Sequence, residues 1–308
     1  MNLLVTGGAG FIGSHFVRAV LADRLPGLEG ASVTVLDKMA YAGNFANLGP
    51  VAESKRLDFV PADASDAPVV GAALRGHDAV VHFAAAGVTG IEVLLEAAHR
   101  LDIARFVHVS TGDVYGSIDS GAWTERSPLT PTTPAAAARA GADLMALAYH
   151  CTHGLPVVVT RGSDNYGPYQ HPGRTIPRLV TALLDGRAAP LSGDGGRVRD
   201  WLHVDDHCHG IALALLEGRP GEIYHVAGTV ELTERDLTGL ILAELDLTWD
   251  HVTATPGHKT GDHRRALDDD KIRRELGWRP RIEFSSGLAT TIAWYRANPT
   301  WWRALQSE

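Results

Sequence analysis

Thr6-Gly7-Gly8-Ala9-Gly10-Phe11-Ile12-Gly13 stands between an apolar run, Leu3–Thr6, and a helical pattern, Ser14–Leu25, with Phe16, Val17, Val20 and Leu21 on one face. Strand, glycine turn and helix in that order form a phosphate cradle. Gly7 permits the tight turn. Gly10 lets backbone approach a pyrophosphate, and Gly13 lets the helix pack close to the strand. The helix N-terminus then offers amides and partial positive charge to an anion. An ordinary glycine turn is the competing reading. Asp37 argues against it, because it ends the next apolar run, Ser32–Leu36, at the separation expected of a carboxylate that grips a ribose. That carboxylate repels a 2′-phosphate, so the expected cofactor is NAD.

Outward from the turn, apolar runs alternate with helical patterns at Asp58–Pro61, Ala79–Phe83, Arg105–Ser110 and Pro156–Arg161. Continuous apolar strands between helices predict a parallel sheet covered on both faces. The expected class is a doubly wound α/β fold of Rossmann type. After Arg161 the rhythm changes, with turn chemistry at Asn165-Tyr166-Gly167-Pro168-Tyr169. Helices are predicted at Thr175–Asp185 and Asp205–Glu217, and a strand at Glu222–Val226 returns to the main sheet. The division expected is an NAD-binding domain over 1–165, returning at about 197–228. A smaller, mostly helical substrate lobe covers 166–196 and 229–308 and interleaves with it.

With 308 residues, 45% hydrophobic and 21% charged, the composition is that of a soluble globular protein. A net charge of -8 argues against nucleic acid as a partner, since phosphate backbones need a basic face. Cys151 and Cys208 form no disulfide framework. No apolar stretch approaches the ~18 residues of a membrane span, and no signal segment is visible. The expected location is the cytoplasm, away from membranes.

Several stretches beyond the glycine turn resemble one family. They are Gly7–His15, Tyr41-Ala42-Gly43-Asn44, His82-Phe83-Ala84-Ala85, Ser110-Thr111, Val114-Tyr115-Gly116, Asn165–Tyr169, Arg199-Asp200-Trp201 and Leu276-Gly277-Trp278-Arg279-Pro280. The chain resembles the dTDP-glucose 4,6-dehydratases, extended short-chain dehydrogenases/reductases of the NAD-dependent epimerase/dehydratase group. The resemblance implies deoxysugar metabolism and a dTDP-sugar or related sugar nucleotide as ligand. It implies Gly7, Gly10, Phe11, Ile12, Gly13, Asp37, Asp63, Ala64, Phe83, Ala84 and Ala85 as cofactor residues, with Asp63 reading the adenine amine. Asn165, Arg199 and Arg264 are the implied substrate ligands.

The same comparison exposes departures. The family's Tyr-x-x-x-Lys pair, on one helix face, is replaced by Ala135 and Arg139. Alanine handles no proton; arginine can hold ribose hydroxyls but does not deprotonate. The family's Thr-Asp-Glu reads Thr111-Gly112-Asp113, so the acid position is empty and the base is one carbon shorter. After Ala85 a loop and the first part of a long helix are missing, which predicts a monomer or an altered homodimer. Gly-His-Asp reads Thr260-Gly261-Asp262, a base-stacking tyrosine reads Ser192, and Asp164 replaces an asparagine near the diphosphate, which its charge would repel; these losses predict weakened or changed sugar-nucleotide binding.

Other tempting features have plain readings. Asp205-Asp206-His207-Cys208-His209 is expected to be a helix start capped by Asp205, not a metal site. Asp268-Asp269-Asp270 reads as an acidic helix start, and Trp301-Trp302 as a packing anchor. Three functions stay open. The first is a base-catalysed epimerisation or isomerisation of a 4-keto sugar nucleotide, with Asp113 as base and Thr111 as oxyanion donor. The second is a catalytically inactive binding or assembly partner. The third is a slow 4,6-dehydratase, in which both impaired proton transfers are each worth roughly 10²–10⁴-fold.

Overall fold

The computed structural model describes residues 1–40, 43–84, 87–257 and 263–306. The chain runs β1 (Asn2–Thr6), α1 (Phe11–Leu21), β2 (Ser32–Leu36), β3 (Leu57–Val60), α2 (Ala67–Ala73), β4 (Ala79–His82), α3 (Gly87–Arg100) and β5 (Arg105–Thr111). It continues through α4 (Pro134–His153), β6 (Val157–Gly162), β7 (Asp164–Tyr166), α5 (Thr175–Leu184), β8 (Ala189–Ser192), β9 (Val198–His203), α6 (Val204–Glu217) and β10 (Ile223–Val226). The remaining elements are β11 (Val230–Thr233), α7 (Glu234–Glu244), β12 (Val252–Thr255), β13 (Arg264–Arg265), α8 (Asp270–Leu276), α9 (Phe284–Ala297) and α10 (Pro299–Ala304).

Seven strands form one sheet in the order β10-β6-β5-β4-β1-β2-β3, and every pairing is parallel. The order reverses at β1, so β1 and β4 lie side by side and open a crevice at their C-terminal ends. Side-chain alternation builds two cores. Leu3 and Val5 of β1 pack with Phe16, Val17 and Ile211 on one face. Leu4 packs on the other with Ile91, Leu94 and Ala146. Each such fully buried side chain contributes about 2 kcal/mol.

The crossover from β4 to β5 is complete: α3 carries Ile91, Leu94, Leu95 and Ala98 into the sheet. α4 is well bounded. The Thr133 hydroxyl accepts from the Ala136 amide at 3.1 Å, Pro134 occupies the first turn, and Gly154 closes the helix at φ +71°.

The smaller lobe is less helical than its sequence predicts. β9 pairs with β11, β13 and β7 in a second sheet, and β8 pairs with β12. These strands are two to six residues long, too short to show a clear period. The chain therefore returns to the main sheet through α6 and β10, and β9 stays with the small sheet. Tyr166, Ile176, Trp201, Ile241, Leu288 and Trp302 form the lobe's core. Trp302 is 1% exposed and donates to the Tyr295 carbonyl at 2.8 Å. Trp301 donates to Asn47 at 3.1 Å, so this pair anchors the C-terminus to both lobes. No described helix is long and apolar enough to cross a membrane.

Candidate functional site

A cleft of about 320 Å³ opens at the strand reversal, lined by the glycine turn, the end of β5, α4 and the start of α5. At its cofactor end Gly7 takes φ +72°, and a Cβ there would stand 2.6 Å from the Ala84 amide nitrogen. A Cβ on Gly13 would stand 2.3 Å from the Gly7 carbonyl oxygen. Only glycine fits either place. Gly10 is the N-cap of α1 and no side chain caps it, which leaves the helix start to an anion. Gly7, Gly10, Phe11, Ile12, Gly13 and Phe83 all line the cleft.

Asp37 accepts from the Ala9 amide at 2.9 Å and the Met39 amide at 2.8 Å, which fixes its carboxylate beside the turn. Asp63 accepts from Lys38 at 2.9 Å and from the Ser65 amide and hydroxyl, both at 3.0 Å. The Lys38 hydrogen bond is the main reason its pKa is lowered to about 2. Ala64 is buried beside it. Ala85 and Thr260–Asp262 lie outside the described residues.

Further in, buried polar atoms of the cleft wall have no hydrogen-bond partner among the described residues, Gln170 Oε1, Trp201 Nε1 and His207 Nε2 among them. Buried polar groups are normally satisfied, so this wall is built for a polar ligand. His207 is fixed from behind by Asn165 Oδ1 at 3.0 Å, and burial lowers its pKa to about 4. Its imidazole is neutral at neutral pH.

The other end of the cleft holds an alternating row of charge. Thr111 caps the turn after β5, its hydroxyl accepting from the Asp113 amide at 3.3 Å. The Asp113 carboxylate lies 3.7 Å from Arg139 and is also ion-paired with Arg265. Arg265 continues to Asp164 at 3.1 Å, and Arg199 reaches the same carboxylate at 3.4 Å. Burial lowers the Arg139 pKa, and the charge of Arg174, another cleft residue, lowers it further. Ala135 is exposed in the first turn of α4. Gly112 is closed in by Leu267, whose side-chain carbons stand 3.2 and 3.3 Å from where a Cβ would be.

Several expected residues are placed otherwise. Arg264 gives Nε and one terminal nitrogen to Glu231 at 2.7 and 2.8 Å, and the other to the carbonyls of Gly121 and Ile118. It ties the small sheet to the loop after β5 and is not among the cleft-lining residues. Asp205 is not the cap of α6. His203 is, accepting from the Asp205 amide at 3.2 Å, which frees the Asp205 carboxylate to bind His15 at 2.5 Å. The acidic start of α8 is as expected, with Asp269 at the N-cap and Asp270 in the first turn; the Asp269 carboxylate accepts from Arg273 Nε at 2.7 Å and caps no helix amide.

The sequence model of the GDP-mannose 4,6 dehydratase family matches residues 4–291. The chain belongs to that family. It is 51% identical, over 100% of its own length and 96% of the relative's, to a dTDP-glucose 4,6-dehydratase of Streptomyces niveus. That alignment runs to 326 positions against the chain's 308 residues, so the relative carries segments that this member lacks. Among solved structures, DesIV of Streptomyces venezuelae, a dTDP-glucose 4,6-dehydratase crystallised with NAD, superposes with a TM-score of 0.97 at 53% identity, covering 99% of this chain and 100% of that one. The Bacillus anthracis dTDP-glucose 4,6-dehydratase in complex with NAD gives 0.95 at 39% identity, with 99% of each chain covered. The Rossmann fold and the family membership expected from the motifs both hold.

Sequence reading alone missed Arg265, Arg174, Gln170, Trp201 and His207 as members of the cleft. For Arg265 a signal existed in the doublet Arg264-Arg265. Strand alternation sends the two side chains to opposite faces, and only the fold decides which one meets the carboxylates.

Proposed function

We propose that this member binds NAD and a dTDP-type sugar nucleotide and transfers protons on a sugar that already carries a 4-keto group. The residues fit the cofactor: the glycine turn and uncapped α1 take the pyrophosphate, Asp37 the adenosine ribose, and Asp63 with Lys38 the adenine edge. Phe83 borders the cleft, and the Ala84 backbone lies against Gly7. Arg139 takes the place from which a lysine would hold the nicotinamide ribose. When bound, NAD supplies a hydride acceptor.

The observation that carries the reading is Asp113, a carboxylate at the cleft within 3.7 Å of Arg139 and with no proton donor at positions 112 or 135. Guanidiniums of Arg139 and Arg265 stand on two sides of it, and it is the carboxylate placed to act as the base. In the proposed step it takes the proton from the carbon beside the ketone. The C–H electron pair passes into an enolate, whose oxygen receives hydrogen bonds from Arg139 and the Thr111 hydroxyl. Return of the proton to the opposite face of that carbon completes epimerisation; for isomerisation the proton goes to the former carbonyl carbon while the neighbouring hydroxyl gives its proton to the enolate oxygen and becomes the new ketone. Dehydration from a 4-hydroxy sugar is disfavoured, since the base that would take the 4-hydroxyl proton and the acid that would protonate the leaving hydroxyl are both replaced.

The test is incubation with a dTDP-4-keto-6-deoxy sugar in D2O, followed by mass spectrometry. Carbon-bound deuterium with the natural protein and none with Asp113→Asn supports the reading. Full exchange with Asp113→Asn refutes it. A binding or assembly role without chemistry is the second reading. The Leu267 side chain against Gly112 favours it, because apolar packing fills the acid's place. Ligand binding with no exchange in any variant supports that alternative. The shortened crossover supports a monomer or an altered homodimer; an intact family dimer in solution scattering contradicts this.

A further inference from the structure

Arg265 and Arg199 are register partners on the parallel strands β13 and β9. Partners in register project to the same face, and both reach Asp164, at 3.1 and 3.4 Å. The side chains of Arg265 and Arg199 are 13% and 8% exposed. Two guanidiniums side by side form a plate for an anion. Asp164 backs both, and Asp113, from the other lobe, is the second carboxylate on Arg265. The Asp113 side chain is 34% exposed at the cleft, so it is the partner within reach of a competitor.

We propose that Arg265 belongs to the diphosphate site and that Asp113 is an internal competitor for it. In the free protein the Arg265–Asp113 pair holds the carboxylate back. The diphosphate of a sugar nucleotide takes over the Arg265 fork, and Asp113 is released toward the sugar. Arg265 is thus a positioning residue: it withholds the base until the anionic part of the ligand has docked. Burial lowers its pKa to about 10, still far above neutrality, so the fork stays charged throughout. The inference rests on the sugar-nucleotide reading of the cleft for the identity of the anion, and not on the proton-transfer chemistry.

The two can be separated by titrating dTDP into the protein by calorimetry. Asp113→Asn removes the competing charge and is expected to tighten dTDP binding several-fold. Arg265→Gln is expected to weaken it about tenfold, the loss of roughly one charge-assisted hydrogen bond, and Arg265→Lys to fall between. Arg265→Lys retains the charge and Asp113→Asn leaves Arg265 with Asp164, so both keep an ion pair or hydrogen bond that supports the fold. Unchanged or weaker binding by Asp113→Asn overturns the proposal, as does unchanged binding by both Arg265 variants. Tighter binding by Asp113→Asn without any deuterium exchange in the natural protein sustains the proposal and sinks the proton-transfer reading alone.

Discussion

Asp143 of α4 and Arg161 of β6 form a fully buried ion pair, with Oδ2 2.7 Å from Nε and side chains 0% and 2% exposed. His108 meets the other Asp143 oxygen at 3.1 Å. Arg161 donates to the Tyr115 hydroxyl at 2.5 Å, and that hydroxyl contacts His225 at 2.7 Å. The helix bearing Arg139 is thus fixed to the sheet through charge, one helical turn beyond the cleft.

Removing one member leaves the other charged and unpaired in the core. Asp143→Ala is expected to cost about 3–5 kcal/mol, read as a lower urea midpoint. Burial pushes the Asp143 pKa up, but the His108 hydrogen bond and the Arg161 charge outweigh it, and the net shift is down. A lowered folded-state pKa contributes stability above the unfolded value of 3.8. That contribution disappears as pH falls further, through the folded-state value.

Buried histidines set a second pH window with the same direction. Burial lowers His207 to about 4, His203 to about 4 and His225 to about 3, from 6.5. Between pH 6.5 and about 4 the unfolded chain binds more protons than the folded one, so stability falls as pH falls. His207→Asn is expected to flatten the slope of Tm against pH in that range. An unchanged slope contradicts the burial argument.

At the glycine turn the steric demand is specific. Gly13→Ala places a Cβ against the Gly7 carbonyl and must push α1 off the sheet. NAD affinity is expected to drop at least about tenfold, or roughly 1.4 kcal/mol, in a calorimetric titration. Full NAD affinity in Gly13→Ala contradicts the placement of the pyrophosphate at this turn.

Restoring the missing acid–base pair is expected to be insufficient. Ala135→Tyr with Arg139→Lys still lacks an acid at Gly112, where Leu267 closes the space. Dehydration of dTDP-glucose, followed by absorbance of the 4-keto product in base, is expected to stay at background in the double variant. Addition of Gly112→Asp and Leu267→Ala is the combination expected to raise it. Activity in the double variant alone removes the need for an acid at that position.

Much of the architecture was local enough to read directly. The 4–7-residue apolar strands, the 3.6-residue faces of the helices and the glycine turn each encode their own conformation within a dozen residues. The class of fold and the glycine turn followed from them, and the substitutions at Ala135, Arg139 and Gly112 from the resemblance of the motifs to the family. Most strands of the small lobe were hidden because two to four residues carry no period. Asp205 looked like a cap because its neighbour His203 caps through a ring nitrogen, which residue type alone does not announce.

The sequence by itself determined the doubly wound sheet, the tight strand–helix turn at Gly7, Gly10 and Gly13, and the alanine in place of a tyrosine at position 135 of α4, because these depend on neighbours in the chain. Tertiary structure decided that Arg265, not Arg264, meets Asp113, and that Leu267 fills the space beside Gly112. Residues 113, 164, 199 and 265 come from four separate segments. Their charges act on one another only at the few ångströms that the packing of two sheets sets.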